Sequence, residues 1–182
     1  ANSGTNTNLG TIQASGSGTL NIIDTNIDNT NGLIKAIATS TVNLNNSTVV
    51  GGQLQADPGA MFNGSGSTLK NLTLTGLLRQ DNIDDHTYEG TITNNGRIEL
   101  NAVNSATEIL VPATGTIFVG TGEVVMSSNI SNIIETVVVG TPALTNGPLQ
   151  RNMGGRALTV NIARPMEARA PRSNGGGYRN SY

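Results

Sequence analysis

A short phrase recurs along this chain: a glycine, then an aliphatic residue two positions on, inside a run that alternates apolar and polar side chains. The clearest copy is Gly90-Thr91-Ile92-Thr93-Asn94-Asn95-Gly96-Arg97-Ile98-Glu99-Leu100-Asn101. On a strand, successive side chains point to opposite faces, so Ile98 and Leu100 point one way and Arg97 and Glu99 the other. Asn94-Asn95-Gly96 is corner chemistry, because Asn and Gly tolerate positive φ. The phrase begins at Gly10, Gly32, Gly52, Gly76, Gly96 and Gly122, at spacings of 22, 20, 24, 20 and 26 residues. Repeats of about 20 to 50 residues mark solenoids, propellers and arrays, and a propeller blade needs about 40. The period therefore predicts an all-β fold. It is a single-stranded parallel β-helix (β-solenoid) of about six coils of 20–26 residues.

Composition agrees with a narrow aliphatic interior. The 182 residues are 36% hydrophobic but only 3% aromatic, with no Trp, and they include 24 Asn, 23 Thr and 23 Gly. A rounded core leans on aromatic bulk; stacked repeats bury aliphatic rows against each other instead. In the first three coils a second strand is expected about nine residues after the signature glycine. Stacking then puts Leu20, Val42 and Met61 in one interior row, and Ile12, Ile34, Leu54, Leu78, Ile98 and Val124 in another. Residues 1–8 read as a frayed end or a cap. Asn29, Asn31, Asn45, Asn46, Asn94 and Asn95 sit at corners, where they act singly in turns or stack as amide ladders.

The β-helix is expected over residues 1–148, ending at Thr141-Pro142 and Asn146-Gly147-Pro148. Residues 149–182 read as a basic Arg/Gly/Pro-rich C-terminal extension. It has one strand-like run, Ala157–Ile162, and a flexible tail from 164. Residues 1–149 hold four basic and eleven acidic side chains. Residues 150–182 hold six arginines (Arg151, Arg156, Arg164, Arg169, Arg172 and Arg179) against Glu167 alone. This asymmetry points to a tail that docks on the acidic body of a neighbouring subunit, with Arg156, Arg164, Arg169 and Arg172 as assembly residues.

There is no Cys, so disulfides say nothing of compartment. The chain begins at Ala1, as a processed mature protein or an excised fragment does, and either would hide a secretion signal. No run approaches the roughly 18 apolar residues of a membrane span.

Two resemblances extend this reading. Ser67-Thr68-Leu69-Lys70-Asn71-Leu72-Thr73-Leu74-Thr75-Gly76, Tyr88-Glu89-Gly90-Thr91-Ile92-Thr93-Asn94-Asn95-Gly96 and Gly120-Thr121-Gly122-Glu123-Val124 resemble repeats of secreted bacterial surface proteins of the filamentous-haemagglutinin and autotransporter-passenger type. Ser47-Thr48-Val49-Val50-Gly51-Gly52 looks like a corner of the companion repeat. That likeness implies a right-handed β-helix, secretion, and adhesion or scaffolding at the cell surface. Met153 to Pro165, followed by Gly175-Gly176-Gly177-Tyr178, resembles the last strand and tail of small RNA-recognition-motif proteins. The rest of that domain, including the aromatics on which bases stack, has no counterpart here, so nucleic acid is not the expected partner.

One stretch concentrates chemical side chains: Asp81, Asp84, Asp85 and Glu89, with His86, the chain's single histidine. It is expected to be a loop bulging from the rod. Clustered carboxylates provide hard oxygen ligands for Ca²⁺, or an acid and base for cutting a glycan. The plainer reading is a solvated loop: the spacing matches no calcium-loop pattern, so no catalytic, metal or cofactor site is expected. Thr73-x-Thr75 resembles one step of an ice-binding face, but no array of such steps follows. Gly120-Thr121-Gly122 lacks the Lys and helix of a phosphate loop. Scattered Asn-x-Ser/Thr triplets, such as Asn71-Leu72-Thr73, follow from composition.

The expectation is thus a non-enzymatic extracellular structural protein, a subunit that stacks head to tail into a surface filament or sheath. The alternatives are a segment of a secreted adhesin that binds surface glycans, and a carbohydrate-active β-helix enzyme using the Asp81–Glu89 stretch.

Overall fold

Alternation at period two, broken every few residues by Gly, Asn or Asp, builds short strands joined by sharp corners. In the computed structural model, which describes residues 4–137 and 144–146, three such strands complete one turn of a coil. The first coil is β1 (Thr5–Thr7), β2 (Thr11–Ala14) and β3 (Thr19–Ile23). The second is β4 (Asn26–Asp28), β5 (Leu33–Ala36) and β6 (Thr41–Asn45). The third is β7 (Thr48–Val50), β8 (Gln53–Ala56) and β9 (Met61–Asn63). The fourth is β10 (Ser67–Lys70), β11 (Thr73–Thr75) and β12 (Leu77–Gln80). In the fifth, β13 (Asp85–Asn94) runs through two faces before β14 (Arg97–Leu100). The sixth is β15 (Thr107–Val111), β16 (Thr116–Val119) and β17 (Glu123–Met126). A seventh opens with β18 (Asn132–Thr136) and β19 (Leu144–Asn146). Every pairing is parallel, and no helix occurs among the described residues.

Three faces result, so each coil has three strands where the repeat alone suggests two. Ile27, Val49, Leu69 and Tyr88 line the inside of the first face. Ile12, Ile34, Leu54 and Leu74 line the second. Leu20, Val42, Phe62, Leu78, Ile98 and Val124 line the third. Two expected rows need correction. Phe62, not Met61, takes the interior place beside Val42; Met61 pairs with Thr41 and faces outward. Leu78, Ile98 and Val124 do not continue the row of Ile12, Ile34 and Leu54, which passes instead to Leu74.

The cause is that the glycine phrase marks two different corners. Gly10, Gly32 and Gly52 enter the second face, whereas Gly76, Gly96 and Gly122 enter the third. The change falls between the third and fourth coils. The third coil turns from its second to its third face through Asp57-Pro58-Gly59-Ala60, while the fourth turns through Gly76 alone. Register on the third face therefore steps from Phe62 to Leu78, only sixteen residues, where the second face steps twenty from Leu54 to Leu74. Gly76 holds φ at 84° beneath the Ala56 carbonyl, a position no Cβ fits.

Residues 4–8 are not frayed: β1 pairs β4, and Asn8 is buried with its Nδ2 donating to Asn29 Oδ1 at 2.7 Å. Amide stacking is real but brief, and mostly not at the expected corners. Asn43 Nδ2 donates to Asn21 Oδ1 on the outer third face (2.9 Å), and Asn82 Nδ2 to Asn104 Oδ1 (2.8 Å). Asn45, Asn94 and Asn95 instead accept from the backbone N–H of Ser65, Gly96 and Thr121.

The corner before β13 holds a strained residue. Ile83 has φ of 71° and is 67% exposed. A β-branched side chain in the left-handed region costs about 1–2 kcal/mol, and here little burial offsets it. Ile83→Gly should therefore stabilise the rod by about 1 kcal/mol, seen as a higher thermal midpoint. An unchanged or lower midpoint would contradict the strained corner.

Candidate functional site

The acidic stretch is not a bulging loop. Asp81 to Asp84 form a tight turn closed by Asp84 N–H donating to Asp81 O at 2.9 Å, and Asp85 already begins the longest strand. Alternation along β13 then sorts the side chains: Asp85, Thr87 and Glu89 face outward, while His86 and Tyr88 are fully buried.

Each carboxylate has its own local partner. Asp81 meets the Arg79 guanidinium, with Nη2 donating to Oδ2 at 3.1 Å, and also accepts from Asn63 Nδ2 at 2.8 Å. Asp84 Oδ2 accepts from the Asp81 N–H at 2.7 Å; partial burial, with Asp81 and Asp85 nearby, raises its pKa. Asp85 accepts from Ser65 Oγ and the Gly66 N–H of the coil below (2.8 and 3.0 Å). Glu89 pairs with Lys70 at 2.8 Å. The bonds to Asn63, Ser65, Gly66 and Lys70 tie coil to coil, and those to Arg79 and the Asp81 N–H close the corner itself. Among the described residues, no three His, Asp or Glu side chains are grouped to hold a metal ion.

Behind this stretch the interior turns polar, a feature the sequence reading missed. Tyr88 Oη donates to Gln80 Oε1 at 3.1 Å, and Gln80 Nε2 donates to the Glu108 carbonyl at 2.7 Å. Thr107 Oγ1 donates to the Asp81 carbonyl at 3.0 Å, and Thr116 Oγ1 to that of Tyr88. Burial raises the Tyr88 pKa, so the phenol stays protonated as the donor. The Tyr88 ring packs on Phe118 with centroids 5.4 Å apart. Polar residues at inward positions of alternating strands (Gln80, His86, Thr107) were the available signal.

The four-residue step between the third and fourth coils leaves a ledge on the outside. The Asp57–Ala60 turn overhangs the Gly76 corner, and a cavity of about 520 Å³ opens between them, lined by Pro58, Met61, Thr75, Leu77 and Arg79 among others. Its walls are mostly apolar. Thr73 and Thr75 face outward beside Gln53 and Gln55, so the Thr-x-Thr step does not repeat on the coil below.

Among the described residues, the ends of the rod carry unmet bonding capacity. β1, β2 and β3 each pair on one side only among those residues. Ile12 and Leu20 are only partly buried there, and Leu9 is 75% exposed. Sheet edges are ordinarily protected by charge, proline or bulges. Residues 1–23 contain no charged side chain and no proline. At the other end, Val124, Ile134 and Leu144 are likewise only partly buried, and β17, β18 and β19 have no further neighbour among the described residues.

On the outer first face, Asp85 and Glu108 are direct register neighbours, and Glu135 lies diagonally on the next strand, opposite Leu110. Burial, then Glu135 and Asp85, raise the Glu108 pKa. No Lys or Arg pairs with these three among the described residues. Arg156, Arg164, Arg169 and Arg172, and the run Ala157–Ile162, lie outside the described residues.

Comparison with family models, curated proteins and solved structures found no match to this chain. Its class is therefore set by its own geometry: a parallel β-solenoid of about six turns.

Proposed function

We propose that this chain is a non-enzymatic structural protein of the cell exterior, a β-solenoid that stacks head to tail into a surface filament or sheath. The observation that carries the reading is the first coil. Three adjacent strand edges have no partner there among the described residues, with a half-exposed apolar row inside them and none of the charges or prolines that ordinarily keep such edges apart. A second copy whose last coil meets this edge continues all three sheets. A contact between unlike ends that does not close on itself propagates as a filament. The acidic cluster of Asp85, Glu108 and Glu135 supports a role for the arginine-rich segment as a connector between copies. Extracellular placement rests on the likeness to secreted surface repeats.

The test is electron microscopy of the full chain at low and high salt, beside a chain ending at Pro148 and an Ile12→Lys variant. Filaments are expected from the full chain. They should shorten on truncation and with salt, which screens charge pairing, and disappear in Ile12→Lys, where a charge enters the open apolar row. Monodisperse short rods from the full chain at every salt would overturn the reading.

A second reading, a segment of an adhesin that holds surface glycans, is favoured by the ledge cavity under Pro58. Glycan-array binding that is lost in Leu77→Asp, with no filaments, would select it.

A further inference from the structure

A single imidazole is buried in the middle of the rod. His86 is fully buried, and its register neighbours are Ser67 on β10 and Ile109 on β15. Its Nδ1 accepts the backbone N–H of Ser67 at 3.3 Å. Accepting there requires the lone pair of the neutral ring, which places the ring hydrogen on Nε2. Nε2 is buried and has no hydrogen-bond partner among the described residues.

We propose that His86 is a proton-operated latch on the seam between β10 and β13, and that its protonation parts the fourth coil from the fifth. The argument is one of lone pairs. An imidazolium carries hydrogen on both nitrogens and accepts no hydrogen bond. Once charged, Nδ1–H faces the Ser67 N–H, two donors meet head on, and a backbone donor inside the rod loses its partner. Nε2–H, already unpaired, then belongs to a buried cation.

The surroundings do little to hold that charge. On its own strand, Asp85 and Glu89 face outward, and Glu89 is engaged by Lys70 of β10. Asp84 lies in the preceding turn, and Glu108 on β15 points outward, whereas Ile109 opposite His86 is apolar. Tyr88, packed edge-on 6.5 Å away, stays neutral. Burial pushes the imidazole down to about 4, with Asp85 and the backbone of Ser67 opposing.

The direction with pH follows. The folded ring protonates less readily than the unfolded one, whose ordinary value is about 6.5. Above that pH both forms are neutral and the latch is closed. As pH falls from about 6.5 towards 4, the open form gains a proton that the closed form refuses, so closure weakens across that window.

His86 is the only histidine, so one imidazole signal in the full chain reports it without ambiguity. Imidazole NMR and amide exchange from pH 7.5 to 3.5 test the latch. The closed ring should read as the neutral Nε2–H tautomer and not titrate near 6.5. Protection of the Gly66, Ser67 and Asn71 amides, which bond across the seam to Asp85, His86 and Glu89, should fall at least about tenfold at the acid end, while Leu33 to Ala36 in the second coil keep theirs. His86→Asn retains an acceptor close to the Nδ1 position and cannot titrate, so its seam should keep its protection. Three outcomes overturn the proposal: a ring that titrates near 6.5 with unchanged Ser67 protection, acid exchange that rises equally in the second coil, or acid opening retained in His86→Asn. If that variant fails to fold, the ring and amide readouts on the unaltered chain decide alone.

Discussion

Gly96→Ala should cost about 3 kcal/mol or more, while Gly10→Ala should change stability by no more than about 0.5 kcal/mol. A Cβ on Gly96 would land on the carbonyl oxygen and nitrogen of Gly76 directly below, and one on Gly122 would meet the carbonyl of Gly96. Neither carbonyl is free to move. Gly76 O accepts Arg97 N–H at 2.8 Å and Gly96 O accepts Glu123 N–H at 2.9 Å, so a shift that admits the methyl breaks the ladder between coils. At Gly10 nothing lies within 4 Å of the same added atom. Denaturant titration of the two variants measures the contrast. Equal midpoints would mean that the corner stack of Gly76, Gly96 and Gly122 is not packed as described.

Phe62→Ala should cost about 3–5 kcal/mol, and its neighbour Met61→Ala within about 1 kcal/mol. Phe62 is fully buried between Val42 and Leu78, where truncation opens a void that stacked backbones cannot close. Met61 lies on the outer surface beside the ledge. Reversed costs would place the third coil out of register by one residue and turn every side chain of β9 to the opposite face.

The third coil is also where reading the chain alone went astray. The phrase Met61-Phe62-Asn63 offers two adjacent apolar residues, and alternation cannot say which points inward. Only the partner strand decides, by placing Phe62 opposite Val42. The nine-residue spacing from Gly52 led to Met61 as the start of a strand, which is right, and then to the wrong inward residue. The acidic stretch misled in another way. Asp81-Asn82-Ile83-Asp84-Asp85-His86-Thr87-Tyr88-Glu89 looks like a solvated loop because its side chains are polar. Yet residues 85–89 alternate, with the two ring-bearing residues inward, and burial follows that alternation rather than the polarity.

The sequence by itself determined the class. Period-two alternation, a repeat near 20 residues, and Gly or Asn at each break are local features, and they leave a coil of short parallel strands as the consistent fold. Tertiary structure decided which corner each glycine occupies, because what excludes a Cβ at Gly76 or Gly96 is a carbonyl about one turn back in the chain. It also decided that His86 lies inside the rod, with Asp85 and Glu89 outside it and bonded to Ser65 and Lys70 of the coil below. Those outcomes depend on contacts between residues about twenty apart. Such contacts exist only when one coil rests on another.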